Sequence, residues 1–474
     1  MKRLLKIISF GAVAVLVAVL IATTVIEDIC GSPFAIENIY HSWWFIALWA
    51  LLAVTGIVYI LRTQRRGTLV MLHASFVVVL LGALVSFLTS KRGDMVVAQD
   101  GVPASMFEIS DGTLQKLPFR LQLSSVDTVR VNGGETVGDY IVRIVAADGK
   151  AVQAERVISL NAPAKIDGYQ FCIKGVDGAG VSLLVSHDPY GRPISYAGYL
   201  MVFVSFLLLF FDRKSGFHAL LLQIKGVERK GESGKVPVKK ERDAWSLGIL
   251  ARRMWAALPV SFLFLCVLWY GRGVFPATNG AEALMLLVLF VMLLAVALER
   301  NKHFKLLSRV LVIVAAIFFV VAALGLNDNS DVQPILRTPL LGIHVTTIII
   351  AYALLACTAV NAVVALCTKD EKRKAQQALL GRLLLYPATM LLACGIFIGA
   401  VWANLSWGRY WGWDPKEVWA LVTLLVCSMG FHSHSLRFIS KPVAFHIFCI
   451  VAFLAVLFTF FGVNVLLGGL HSYA

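Results

Sequence analysis

The sequence predicts an all-α polytopic membrane protein of about 11 transmembrane helices, with one small β-rich domain on its outer, periplasmic side. Three observations support this fold class. Of 474 residues, 58% are hydrophobic and the mean hydropathy is +0.78, which is too apolar for a chain that must cover a soluble surface. Apolar runs of the roughly 20 residues that a membrane-spanning helix needs recur along the chain. Lys and Arg are concentrated in the short loops between alternate runs.

The predicted spans begin with a basic and then apolar segment that is similar to a signal sequence. Because this segment has no small-residue cleavage site, we interpret it as a retained signal-anchor helix. The predicted spans are residues 7–26, 43–61, 68–89, 195–211, 254–271, 281–299, 306–326, 345–366, 384–402, 418–435 and 443–466.

The placement of basic residues predicts the orientation of the spans. Clusters such as Arg62–Arg66, Arg300–Lys305 and Lys369–Lys374 occupy alternate loops, and basic loops remain cytoplasmic. We therefore expect a bacterial inner (cytoplasmic) membrane protein with a cytoplasmic N-terminus and a periplasmic C-terminus. The formal charge of +15 follows from this topology, and no nucleic-acid partner is predicted.

The soluble region at 91–193 predicts β structure. Apolar and polar residues alternate along Phe119–Leu123 and Ile141–Val145, and turn signals lie at 132–134 and 148–149. It contains neither a metal-ligand cluster nor paired carboxylates, so we expect it to do no chemistry. A basic cytoplasmic linker at 213–244 separates the predicted N-terminal half, 1–212, from the C-terminal half, 245–474.

The loop at 403–419 is the most informative stretch. An interfacial aromatic belt anchors helix ends with single Trp or Tyr residues, and this is the alternative interpretation. Glycines let a backbone approach a flat partner closely, and indoles offer broad apolar faces. Arg409 and Lys416 add charge that could meet acidic substituents. These properties favour a planar macrocycle with carboxylates, such as heme; the indoles are Trp407, Trp411, Trp413 and Trp419.

The run Trp-Gly-x-x-Trp-x-Trp-Asp-Pro-Lys-Glu, with Trp-Ala-Leu after it, resembles the tryptophan-rich WWD signature of heme-handling membrane proteins. Its surroundings resemble the CcsA-type half of the system II cytochrome c synthases. Residues 161–189 resemble the outer domain of the CcsB (ResB) partner, although Cys172 stands where an aromatic residue is expected. The resemblance implies a fused system II synthase that takes heme b as substrate and ligand. It implies that the loop's indoles, Arg409, Asp414 and Lys416 contact heme.

Two histidines are predicted beside this loop, on the outer side. His344 begins one span and His471 follows another. Two neutral imidazoles can ligate a six-coordinate heme iron, while two interfacial histidines hydrogen-bonded to water are the alternative. The resemblance implies that both are ligands of an outer heme.

A second pair, His73 and His432, is predicted at matching depth near the cytoplasmic ends of two spans. An intramembrane imidazole is costly and needs a partner, so an interhelical hydrogen bond is the alternative to a ligand role. The resemblance implies that both are ligands of an inner heme. No residue is assigned as a general acid or base.

The resemblance implies heme transport across the membrane and covalent attachment of heme to C-x-x-C-H segments, the reaction of a holocytochrome c synthase (cytochrome c heme lyase). Expected partners are apocytochrome c, a thiol-reducing thioredoxin-like protein and the lipid membrane. The eight cysteines of this chain form no C-x-x-C, so it is not itself predicted to be such a reductant. A heme exporter or chaperone that delivers heme without attaching it is the alternative function. A small-solute transporter would predict inverted repeats and broken helices, which we do not find.

Overall fold

A computed structural model of the chain describes residues 2–63, 67–109, 112–130, 137–148, 151–152, 155–233, 257–272, 275–277, 279–299, 304–325, 334–433 and 435–467. These ranges form a helical part and a separate antiparallel sheet. Nine helices in the described ranges are long and apolar enough to cross a membrane. The predicted class, a mostly helical membrane protein with a β domain, is confirmed at this level.

Three long apolar helices precede the sheet. The first ends before Gly31, whose φ of 87° is a conformation that glycine adopts without strain. A π-helical turn at Ile36–Tyr40 then leads the chain into the second helix. The helices are α1 (Lys2–Cys30), α2 (Trp43–Thr63) and α3 (Gly67–Thr89).

In the described residues between α3 and the next helix, the sheet has nine strands, all paired antiparallel, in the order β5-β4-β3-β2-β1-β9-β8-β7, with β6 paired to β4. Along β3 every second side chain, from Leu117 to Leu123, is buried, which is the alternation that its sequence predicts. The strands are β1 (Lys91–Ala98), β2 (Ala104–Ile109), β3 (Leu114–Arg130), β4 (Val137–Asp148), β5 (Ala151–Val152), β6 (Arg156–Ile158), β7 (Ala164–Ile166), β8 (Tyr169–Asp177) and β9 (Gly180–His187).

The remaining helices follow the sheet. Residues 234–256, which include the later part of the predicted linker, lie outside the described residues. The helices are α4 (Gly191–Phe211), α5 (Gly216–Ser233), α6 (Ala257–Arg272), α7 (Gly280–Glu299), α8 (Lys305–Gly325), α9 (Pro339–Cys367), α10 (Glu371–Trp407), α11 (Pro415–Met429) and α12 (Pro442–Leu457), with a π-turn and a last helical turn to Leu466.

Each predicted span overlaps one of these helices, although residues 254–256, 326 and 434 lie outside the described residues and the lengths differ. Helices α6 and α11 have only 16 and 15 residues. Helix α10 has 37 residues, far more than the predicted span 384–402, because polar residues before that span and Ala403–Trp407 after it are also helical. The non-helical part of the tryptophan loop is therefore short, from Gly408 to Asp414.

Helix α9 lies at the centre of the main apolar core, with α7, α10 and α12 packed around it. Small side chains along α9, among them Ala351, Cys357 and Ala362, are fully buried and allow neighbouring backbones to approach closely. The consequence for the candidate site is that the first turns of α9 lie against the second half of α10, which leads into the tryptophan loop.

Candidate functional site

His73 and His432 lie together, although they come from opposite ends of the chain. Their ring centroids are 6.1 Å apart and their planes are at 89°. An imidazole nitrogen binds a metal at about 2 Å, so two imidazoles on opposite faces of one iron have centroids about 6 Å apart. The observed separation would therefore allow the two imidazoles to hold one metal ion between them.

Both rings of this inner pair are oriented by the same kind of hydrogen bond. His73 Nδ1 is 2.9 Å from the carbonyl oxygen of Leu69, and His432 Nδ1 is 3.0 Å from that of Ser428. A carbonyl oxygen only accepts, so Nδ1 donates, and the neutral ring keeps its lone pair on Nε2. These bonds lie within each histidine's own helical segment, not between helices. Each ring thus has the tautomer that a metal ligand needs.

His344, in the second turn of α9, has the same tautomer. Its Nδ1 is 2.7 Å from the carbonyl oxygen of Gly395 on α10. One turn further along α10, a Cβ added at Gly399 would lie 2.5 Å from His344 Cε1, so only glycine leaves room for the ring there. His471, the other predicted outer ligand, lies outside the described residues.

Trp407, the last residue of α10, lies near this end of α9. Its ring meets that of Trp402 edge-on, with centroids 4.8 Å apart. Both indoles belong to a small apolar cluster that includes Leu341 and Val345, on either side of His344 in sequence. The structure thus brings together the predicted outer histidine and the first tryptophan of the loop.

The other two loop tryptophans pack against different parts of the protein. Trp413, in the left-handed region with φ 59°, stacks on Tyr40 with 4.3 Å between centroids and 7° between planes. Phe45 meets the same indole edge-on at 5.4 Å. Trp411 lies at 88° to Trp413 and packs against the main core. One face of Trp413 is therefore covered by the N-terminal part of the chain.

The Asp-Pro-Lys-Glu part of the signature starts helix α11. Asp414 is the N-cap and accepts a hydrogen bond from the backbone N–H of Lys416 at 2.9 Å. Glu417 completes a capping box and also accepts from the backbone N–H of Gly412 at 2.7 Å. Pro415 occupies the first helical position, which proline favours. These residues hold the loop in shape.

The remaining predicted heme contacts also have protein neighbours. Lys416 Nζ donates to Asn464 Oδ1 at 2.7 Å, and Trp419 Nε1 donates to Thr24 Oγ1 at 3.2 Å. The guanidinium group of Arg409 lies over Gly412, 2.9 Å from where a Cβ would be. Lys416 and Trp419 therefore connect α11 to neighbouring segments, whereas the Arg409 guanidinium lies against the loop's own backbone at Gly412.

The sheet is joined to the end of α10 by hydrogen bonds, one of which is fully buried. Gln170 of β8 donates from Nε2 to the carbonyl oxygen of Asn404 at 2.6 Å, and Ser406 Oγ donates to Asn161 Oδ1 at 2.8 Å. Gln170 is completely buried. If Gln170 lost its acceptor, its buried amide would have neither water nor a protein partner, which would destabilise the folded state. These bonds therefore hold the sheet against the loop.

Cys172 lies in the same contact, close to Gly408, whose φ of 66° ends α10. Its thiol is 3.6 Å from the carbonyl oxygen of Leu405. Burial raises the pKa of the Cys172 thiol, which makes it a poor nucleophile. Leu184 of β9 and the Cys172 thiol both lie beside Gly408, so Cys172 contributes to packing at this contact.

Tyr410 links the loop to the base of the sheet. Its hydroxyl donates to Ser86 Oγ at 2.7 Å, and Ser86 donates to Asp188 Oδ2 at 2.5 Å. Asp188 also accepts from the backbone N–H of Gly191, at the start of α4. One polar chain therefore connects the loop, α3, the sheet and α4.

The structure also brings into the site positions that were not predicted from the sequence. Examples are Tyr40, Gln170 and Gly399. Gln170 lies in the segment that resembles the outer domain of the CcsB (ResB) partner. That resemblance pointed to the domain but not to this residue's contact with α10. Nothing local links Tyr40 with Trp413 or Gly399 with His344, because both contacts join segments far apart in the chain.

Comparison with known proteins finds a family match for each of two parts of the chain. Residues 277–471 match the family described as Cytochrome C assembly protein, and residues 62–182 match the ResB-like family. The first match includes His344, His432, His471 and the tryptophan loop, whereas the second includes His73 and most of the sheet. The pair of His73 and His432 thus draws one residue from each matched part.

Three relatives illustrate the similarity. Protein NrfI of Wolinella succinogenes is 32% identical over 46% of this chain and 25% of its own length. Cytochrome c biogenesis protein CcsA of Chlamydomonas reinhardtii is 34% identical over 44% of this chain and 64% of its own length, and that of Guillardia theta is 28% identical over 43% and 78%. The chain spans less than two thirds of the first two relatives. Together, the two matches show that the chain is similar to ResB-like proteins over residues 62–182 and to cytochrome c assembly proteins over residues 277–471.

Proposed function

We propose that the protein is a holocytochrome c synthase that moves heme across the membrane and attaches it to apocytochrome c. Heme is its substrate. It first binds between His73 and His432, then reaches an outer site at His344 and His471 beside the tryptophan loop. The observation that carries this proposal is the 6.1 Å separation of the His73 and His432 rings, with both Nε2 lone pairs available.

The proposed direction rests on topology. In the proposed 11-span arrangement, α6 and α11 complete the nine longer helices, and the basic loops lie in the cytoplasm. The start of α1 is then cytoplasmic, and the sheet and the tryptophan loop are periplasmic, in a bacterial inner membrane. The inner histidine pair faces the side where heme is made, and His344 faces the side where attachment takes place. The proposed halves are 1–212 and 245–474, joined by the linker 213–244.

The proposed chemistry needs orientation more than acid–base catalysis. Each thiol of a C-x-x-C-H segment adds across one heme vinyl group: sulfur bonds to one vinyl carbon and the thiol hydrogen goes to the other. Atoms balance without an oxidant, although the thiols must arrive reduced, which is the role proposed for a thioredoxin-like partner. The protein's part is to hold heme and thiols in one geometry and to exclude water. One iron ligand must then yield to the product's own histidine.

Packing around the loop supports this role. The capping box of Asp414 and Glu417, and the stack of Trp413 on Tyr40, hold the loop rigidly. Gln170 fixes the sheet beside it, which leaves the sheet well placed to guide an apocytochrome segment. Preorganised groups lose little entropy when the substrates bind, which is the contribution that positioning makes to rate.

Co-expression with an apocytochrome c tests the proposal against the exporter alternative. We expect covalent heme on the cytochrome after denaturing electrophoresis, and its loss in His344→Ala. The control is His218→Ala, since this histidine lies on α5, outside the proposed sites. Heme delivered to the periplasm without any covalent product would favour an exporter or chaperone and contradict the synthase.

A further inference from the structure

Three segments that carry an arginine meet at Ser186 of β9. Arg92 lies directly opposite Ser186 in the pairing of β1 with β9, so their side chains share one face of the sheet. Arg192, at the start of α4, donates from Nη2 to Ser186 Oγ at 3.1 Å. Gly408 is also there, since a Cβ added to it would lie 3.5 Å from Ser186 Oγ, and Arg409 follows it.

The arginine cluster, Arg92, Arg192 and Arg409, brings three positive charges together without an ion pair. Among the described residues, none of the three forms an ion pair with a carboxylate. Asp188 is the acidic residue near Arg92, and its two oxygens already accept hydrogen bonds from Ser86 and Gly191. Glu417 accepts from the backbone N–H of Gly412, where the Arg409 guanidinium lies. Three guanidinium groups therefore have two carboxylates nearby, and both carboxylates already accept hydrogen bonds from other groups.

Two of the guanidinium groups also have unused donors. The Nε atoms of Arg92 and Arg192 are buried and have no hydrogen-bond partner. Burial lowers the pKa of Arg92, and the nearby Tyr410 and Asp188 partly oppose this. The positive charges of Arg409 and Arg192 lower the pKa of Arg92 further, so these cations are near enough to repel one another. Arginine stays protonated nonetheless, and a buried charge without a partner is costly. A bound anion would remove both the repulsion and the unsatisfied donors.

The position of the cluster indicates the anion. Arg409 lies in the loop between Trp407 and Trp411, beside the indoles that are expected to contact heme. Heme carries two propionate carboxylates, and the guanidinium group is suited to bind carboxylates with two parallel hydrogen bonds. We propose that the arginine cluster binds the heme propionates at the outer site, with Arg92 and Arg192 supplied by the N-terminal half. This assignment rests on the proposed function, because it requires heme at the outer site.

The test compares two porphyrins that differ only in their carboxylates. Full-length protein with His73→Ala and His432→Ala, purified in detergent, is titrated with heme and with heme dimethyl ester, and binding is followed by absorption. These substitutions remove the inner ligands, so added porphyrin reports on the outer site. In this background we expect Arg92→Gln and Arg409→Gln each to weaken heme binding about tenfold while the ester binds as before. Arg120→Gln, an exposed arginine on β3, is the matched control and should change neither.

Each other outcome overturns the assignment. Equal weakening for heme and ester would make the arginines structural, and no weakening for either would place the propionates elsewhere. An unchanged preference for heme over ester, together with weaker binding of an apocytochrome peptide, would assign the cluster to protein carboxylates. Failure of the proposed function would give a different result from failure of this assignment. If there were no outer heme site, His344→Ala in this background would leave the affinity for both porphyrins unchanged, or the background itself would bind neither porphyrin.

Discussion

The indole ring of Trp413 stacks on the phenol ring of Tyr40, with 4.3 Å between ring centroids and 7° between planes. Tyr40 is 2% exposed and belongs to the turn between α1 and α2. Tyr40, which precedes the segment similar to the ResB-like family, thus supports a tryptophan of the signature far away in the chain. The stack explains how Trp413 holds a left-handed conformation that a bulky residue rarely adopts.

Replacing Trp413 should reveal this dual role. We expect Trp413→Ala to lower the outer-site heme content. We also expect it to lower the free energy of unfolding by about 2 kcal/mol, since the side chain is half-buried. Trp413→Phe keeps an aromatic ring on Tyr40 and should retain more of both. Heme content is measured by absorption and stability by thermal unfolding in detergent, after equal membrane abundance is checked. Unchanged heme content and normal attachment in Trp413→Ala would count against the loop as a heme cradle.

Gly399→Ala should disable His344 without touching it. The added methyl group would lie 2.5 Å from His344 Cε1, so the imidazole must move away from its bond to the Gly395 carbonyl. We expect loss of covalent product comparable to that of His344→Ala, with the inner heme retained. Gly11→Ala is the matched control, because a Cβ at Gly11 meets nothing within 4 Å. Normal attachment by Gly399→Ala would show that the present orientation of His344 is not required.

Gln170→Ala should loosen the sheet from the loop. The change removes the donor to Asn404 and the acceptor for Arg192, which together stabilise the contact by about 1–3 kcal/mol. We expect faster hydrogen exchange in residues 404–408 and a lower yield of covalent product. Gln122→Ala, an exposed glutamine on β3, should alter neither. If exchange at 404–408 is the same in both variants, the sheet does not hold the loop.

Substitutions of Asp414 can separate its role as a helix cap from the role of its negative charge. Asparagine caps a helix as well as aspartate does, whereas leucine does not and costs about 1 kcal/mol. Because Asp414 caps α11, we expect Asp414→Asn to keep most attachment activity and Asp414→Leu to lose it. The readout is covalent heme on a co-expressed cytochrome. An Asn variant as defective as the Leu variant would mean that the carboxylate itself acts on substrate.

The helices could be predicted because each needs only a local run of apolar residues, and the same is true of the alternation along β3. The lengths of the helices were harder to predict than their positions. Polar residues before position 384 gave no hydropathy signal, yet they are helical in α10, which also continues through Ala403 to Trp407. Helical hydrogen bonds within one segment do not depend on hydropathy, so the ends of α10 could not be read from an apolar window.

The site was predicted in its parts but not in its assembly. Depth in the membrane suggested that His73 and His432 could pair, yet only tertiary packing brings their rings to 6.1 Å. The indoles were treated as one surface, whereas the structure directs Trp407 toward α9 and Trp413 toward Tyr40. Side chains that were read only as heme contacts, such as Asp414 and Trp419, also stabilise α11. Long-range contacts of this kind leave no periodic trace in a sequence.

The absorption spectrum of purified protein tests the central claim, that His73 and His432 bind heme in series with the outer site. We predict six-coordinate low-spin heme with bis-imidazole ligation in the unsubstituted protein and in His344→Ala, which retains the inner site. When the protein is loaded in cells, His73→Ala with His432→Ala should contain little heme anywhere, at normal membrane abundance. Full outer-site heme and normal cytochrome product in that double variant would contradict the claim and leave the inner pair a structural contact.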